Sequence, residues 1–164
     1  MATKSQNNST PPQDSVSEKR CLFLGRFDHA LDPKKRLTIP SIWRDLMGQP
    51  SYIYVMPDIE LHCLNILSPA EMERRLELLC GRPLFEDGLG EVLAELGENS
   101  EQLALDVQGR IRIRDRLLEF AQLTDQVVMI GAANRIQLWS PELRPERATL
   151  DKSAMMAAYR SLKF

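Results

Sequence analysis

Two five-residue stretches, Asp32-Pro33-Lys34-Lys35-Arg36 and Asp106-Val107-Gln108-Gly109-Arg110, each open on a carboxylate and close on a guanidinium. An aspartate can accept hydrogen bonds from backbone N–H groups a few residues ahead and so close a tight turn. Gly109 supplies the positive φ that such turns often need. The arginine then leaves the turn carrying five donors in a fixed fork, suited to phosphate oxygens or to the O6/N7 edge of guanine. The same arginine can instead fold back on its aspartate and pin the turn, and the pattern alone leaves both roles open. Lys34 and Lys35 cluster charge at the first turn. After the second, Arg112 and Arg114 alternate outward with Ile111 and Ile113 inward. The candidate contact residues are therefore Lys34, Lys35, Arg36, Arg110 and Arg112, with Asp32, Asp106 and Gly109 forming the turns.

Other chemistries find less support. Cys21, Cys63 and Cys80 are too few and too scattered for a disulfide framework or a zinc ribbon. In the alternation Leu61, Cys63 the thiol reads as a small core hydrophobe, and no metal or cofactor is expected. No Ser/His/Asp set, carboxylate pair or phosphate-cradling glycine loop stands out, nor a Gly-Ser bond for a self-cleaving decarboxylase, so neither enzymatic activity nor a small-molecule substrate is expected. The 164 residues carry a net charge of -2 and a pI of about 5.8, unlike the global footprint of a nucleic-acid binder. Charge is segregated, however: seven bases stand against Asp28 and Asp32 between Lys19 and Arg44. Six acids without a base run from Glu86 to Glu101, and that run reads as a solvated helix face. With no signal peptide or long apolar run, a cytoplasmic protein away from membranes is expected.

The elements that must hold these turns follow from periodicity and punctuation. Residues 1–20 are polar and Pro-containing and read as a disordered tail. A strand interrupted by Gly25 leads to the first turn, Leu37-Thr38-Ile39 resumes it, and Pro40 introduces a short helix ended by Gly48. Strands at SYIYVM and LHCLNIL follow. Ser68-Pro69-Ala70-Glu71 is a capping box, opening a helix with Met72, Leu76, Leu79 and Cys80 on one face. A second helix is expected over 83–97. The remainder replays this order: the two aspartates lie 74 residues apart and the two Ser-Pro pairs 72 apart, an offset that indicates an internal duplication. Trp43 and Trp139 sit in apolar periodic segments and read as core or interface residues rather than base-stacking platforms.

The order HALD-x-K-x-RLTIP, CLNILSPAEMERRLELL, ALD-x-x-GRI-x-I and VVMIGAANRIQLW resembles the MraZ family of bacterial transcriptional regulators, across residues 22 to about 142. The resemblance implies a mostly β, α+β fold of two AbrB-like swapped-hairpin halves forming a pseudo-twofold β-barrel. The first half would span 21–80 and the second 101–146, joined by a helical acidic connector over 81–100; the polar tail and the C-terminal segment over 147–164, read as a helix from the Ala, Met and Leu content of Ser153 to Phe164, set this chain apart from the family. The resemblance further implies a nucleoid-associated, ring-shaped homo-oligomer binding short repeated boxes of double-stranded DNA, in the promoter of the division and cell-wall gene cluster. The family's DNA-contacting motif falls on Asp32 to Arg36 and on Asp106 to Arg110. Two positions depart from the family pattern: Lys35 stands where Gly is usual, and Arg114 where Pro often stands. The rival reading is an oligomeric interaction protein of the same fold whose DNA binding is weakened or lost.

Overall fold

The computed structural model describes residues 21–80, 88–145 and 151–162. The expected disordered tail at 1–20 lies outside them. Among the described residues, eight short strands and five helices make a mostly β, α+β fold. The chain runs β1 (Arg26–Ala30), β2 (Arg36–Thr38), α1 (Ser41–Leu46), β3 (Tyr52–Pro57), β4 (Leu64–Leu67), α2 (Pro69–Cys80) and α3 (Leu89–Asn99). Then come β5 (Glu101–Ala104), β6 (Arg110–Arg112), α4 (Asp115–Phe120), β7 (Gln126–Gly131), β8 (Ile136–Trp139) and α5 (Lys152–Ser161).

Six strands form one antiparallel sheet in the order β1-β7-β8-β4-β3-β5, and β2 pairs only with β6. Each early strand pairs with a late one: β1 with β7, β2 with β6, β3 with β5, β4 with β8. The register obeys the 74-residue offset found in the sequence. Asp28↔Val128 maps onto Tyr54↔Gln102, and Arg36↔Arg112 maps onto Thr38↔Arg110. A pseudo-twofold axis thus runs through the Leu37↔Ile111 pair and, at the other end, through Asn65↔Gln137. The offset falls to 72 between β4 and β8 because the β3–β4 turn holds residues 58–63 and the β7–β8 turn only 132–135.

The inner face of the sheet, the β2–β6 ribbon and the two short helices share one core. Leu37, Ile39, Ile111 and Ile113 from the ribbon meet Ile53, Val55, Ile66, Val127, Met129 and Leu138 from the sheet. Trp43 of α1 is buried against Phe23 and Phe27, edge-on at 6.2 and 4.8 Å between ring centroids. Its indole N–H donates to Leu24 O at 3.2 Å, satisfying the polar handle of a buried tryptophan. Trp139 is likewise buried, on the opposite face of the sheet with Val128 and Cys63. Gly131 is needed for proximity: a Cβ there would come within 2.5 Å of the Phe23–Leu24 backbone, where the chain forms its isolated bridge to Ala133.

Several elements differ from expectation. The strand expected at LHCLNIL, β4, starts only at Leu64. Asp58, just past the end of β3, accepts the Glu60 and Leu61 amides at 3.0 Å and holds the intervening residues in a turn, with Leu61 exposed and Cys63 buried. Burial pushes the Cys63 thiol up to about 12, so it is an inert core residue. Of the four α2 residues expected on one face, only Met72 is buried, because this outer face of the sheet is covered by only a small cluster of Met56, Leu67 and Met72 with Leu96 of α3 against it. The helix expected over 83–97 is described from Leu89 to Asn99 behind Gly88, whose φ is +83°; residues 83–87 lie outside the described residues. The acidic run is not all solvated. Glu101 is buried, and Arg116 Nε donates to it at 2.6 Å while Arg114 Nε pairs with its other oxygen at 2.9 Å. The distant α4 start brought these partners, which no local pattern announced.

Candidate nucleic-acid interface

The two turns are built alike, atom for atom. Asp32 Oδ1 accepts the amides of Lys34 and Arg36, both at 2.9 Å; Asp106 Oδ1 accepts those of Gln108 and Arg110, both at 2.9 Å. Each aspartate's own amide and carbonyl close the ring, bonding Arg36 O and Lys35 N in one turn and Arg110 O and Gly109 N in the other. The arginine side chain then folds back: Arg36 Nε lies 2.6 Å from Asp32 Oδ2, and Arg110 Nε 2.7 Å from Asp106 Oδ2. The backbone amide of the arginine, foremost, and the guanidinium hold both carboxyls below the usual aspartate value. The contacts show the turn-pinning role of the arginine: Nε holds the aspartate, and the terminal amino groups have no other partner among the described residues.

The turns sit at opposite ends of the ribbon, since antiparallel pairing sets Arg36 beside Arg112 and Thr38 beside Arg110. Side chains alternate, so Leu37 and Ile111 point into the core while Arg36, Thr38, Arg110 and Arg112 lie on the outer face. Like charges directly opposite across a ladder are unfavourable. Arg36 facing Arg112 is thus a concentration of positive charge that the fold itself does not need. Around it Pro33, Lys34, Lys35, Arg36, Arg112 and Asp115 line an open cleft of about 500 Å³. Five cations expected from sequence, Lys34, Lys35, Arg36, Arg110 and Arg112, are brought to one ribbon and its two ends.

At the third turn position the two halves diverge. Gly109 has φ +76° and Lys35 has φ +58°, so the lysine keeps the left-handed geometry rather than rebuilding the turn. A non-glycine residue held there costs on the order of 1 kcal/mol. Its side chain reaches Asp115 at the start of α4, Nζ to Oδ1 at 2.8 Å, and this lysine chiefly holds the Asp115 carboxyl below its usual value. Above Gly109, by contrast, lies the guanidinium of Arg44, whose Nε donates to Ile39 O at 3.1 Å; a Cβ at 109 would overlap it. Arg44 and Asp115 were not legible as site residues, because each approaches the turn of the other half. Arg114, standing where Pro often does, adopts φ −75° and ψ 152°, close to the −50° and 135° of its counterpart Pro40. The arginine thus reproduces the proline's entry into the helix.

Among the described residues no three His, Cys, Asp or Glu side chains are grouped to hold a metal. No helix there is long and apolar enough to cross a membrane. A family model described as "MraZ protein, putative antitoxin-like" matches residues 97–143, the stretch holding the second turn, β6, α4, β7 and β8. The protein named Transcriptional regulator MraZ from Clostridium acetobutylicum is 30% identical over 121 residues, 74% of this chain and 83% of its own. Relatives of the same name from Halothermothrix orenii and Roseiflexus castenholzii are each 32% identical, covering 73% of this chain and 81% and 82% of theirs. Similarity of that extent covers about three-quarters of the chain, and the chain belongs to the MraZ family.

Proposed function

We propose that this protein is a sequence-specific DNA-binding transcriptional regulator. It acts as a ring-shaped oligomer on repeated boxes, in the promoter of the division and cell-wall gene cluster. The observation that carries this reading is the arginine-faced ribbon: Arg36 opposite Arg112 and Arg110 one step along, with an Asp-closed turn at each end. A two-stranded ribbon fits the major groove, where arginine reads guanine, and the flanking Lys34 supplies a phosphate contact. The relatives' shared name, Transcriptional regulator MraZ, supports the same reading. So does the charge arithmetic. One acidic-pI chain offers a modest patch, but several patches in a ring engage successive boxes at high effective concentration, multiplying affinity about 10²–10⁴-fold.

Binding to the duplex upstream of the gene, followed by fluorescence anisotropy at several salt concentrations, tests this. Affinity falls steeply with salt as neutralised phosphates release counterions. Arg36→Ala and Arg110→Ala each weaken binding and flatten that dependence. Unchanged affinity and slope in both variants, with oligomeric state intact, would favour an interaction protein whose arginines only pin their own turns.

A further inference from the structure

Resting on that reading, we propose that the two turns are unequal arms: the second binds backbone phosphate with an extra cation, Arg44, while the first is restrained by Asp115, which occupies Lys35. Both differences come from one position. Where the second turn has glycine, the space above its backbone admits the Arg44 guanidinium, anchored by a single bond from Nε to Ile39 O. Its terminal amino groups have no partner among the described residues, and the guanidinium lies over Gly109, next in sequence to Arg110 at the end of the ribbon. Where the first turn has lysine, the ammonium is already paired to Asp115. That carboxylate also lines the cleft formed with Lys34, Arg36 and Arg112. A phosphate approaching this cleft meets a competing anion. The 74-residue offset makes the contrast sharp: Arg44 corresponds to Leu118 and Asp115 to Ser41, so neither device exists in the other half. A protein with one strong and one restrained arm docks on a box in a single direction, although its backbone is nearly twofold.

The test measures affinity and salt slope of the full chain on the duplex upstream of its own gene. Asp115→Asn tightens binding about two- to fivefold, the scale of an exposed ion pair, and steepens the log–log salt slope by about one. Lys35→Ala changes little in the native background but removes the gain in an Asp115→Asn background. Arg44→Gln flattens the slope by about one, and Arg44→Lys restores it, separating charge from packing; thermal unfolding checks that each variant is folded. Three results overturn the proposal. They are no change on Asp115→Asn, an equal cost of Lys35→Ala in both backgrounds, or an unaltered slope in Arg44→Gln. If the native chain fails to bind the duplex at all, the regulator reading falls first and this inference with it.

Discussion

A single backbone conformation decides what residue 35 and residue 109 do for stability. Both occupy the left-handed region, which glycine enters freely and lysine does not. Lys35→Gly is therefore expected to stabilise the protein by roughly 0.5 kcal/mol, the relieved strain exceeding the small loss of an exposed ion pair. Gly109→Ala should destabilise it by about 1 kcal/mol and displace Arg44 from its place over the turn. Urea unfolding of the two variants gives the opposite signs directly, and equal signs would contradict the assigned geometry. At this scale the sequence was informative about turn chemistry, because Asx closure is local and needs only the spacing of Asp and Arg. It was silent on Arg44 and Asp115. Each contacts a turn more than 60 residues away in sequence, and pairing across the ribbon is what brings them there.

Among the elements, the start of α2 is the most heavily braced. Ser68 Oγ accepts the Glu71 amide at 3.2 Å, half of the expected capping box. Glu71 does not return the bond: its carboxylate instead takes Arg74 and Arg75 at 2.8 Å each and Asn134 at 2.7 Å, tying the helix to the β7–β8 turn. The Arg74 hydrogen bond, followed by Arg75, lowers the Glu71 pKa from 4.5 to about 2. A depressed carboxylate stabilises the fold fully above its unfolded value and loses that contribution as pH falls. Stability should thus decline by about 1–2 kcal/mol, allowing for partly exposed partners, between roughly pH 5 and pH 2. Glu71→Gln should flatten the decline in acid-unfolding curves. The cap was legible because Ser-Pro-x-Glu is a local signature. How much of the shared face of α2 is buried was not legible, because periodicity shows which residues share a side but not how much sheet that side meets.

For the molecule as a whole, interleaving means that each half alone keeps only one hairpin of the sheet, β3–β4 or β7–β8. Fragments 21–80 and 101–145 each lack the partners of their outer strands, since β1 needs β7 and β5 needs β3. The intact chain should unfold in one cooperative transition. The two fragments, little structured when separate and dilute, should regain the native circular dichroism on mixing. Two transitions, or a fully folded 101–145 monomer, would contradict this. Much of this architecture was readable beforehand. A constant offset between two copies within one chain is a long-range constraint written in the sequence, and the register of three strand pairs, β1–β7, β2–β6 and β3–β5, obeys it. What escaped was the reason for the slip from 74 to 72, which lies in the unequal turns at 58–63 and 132–135.

Fusion of the copies has a genetic consequence. In a dimer of identical halves, one codon specifies both turns, and a lysine at the third position would be imposed on each of them together with its strain. Here residues 35 and 109 are encoded separately, so one arm could exchange glycine for lysine while its twin stayed as it was. The covalent link between the halves is what allows mutation to act on one side of a nearly symmetric protein, and so to give it a left and a right.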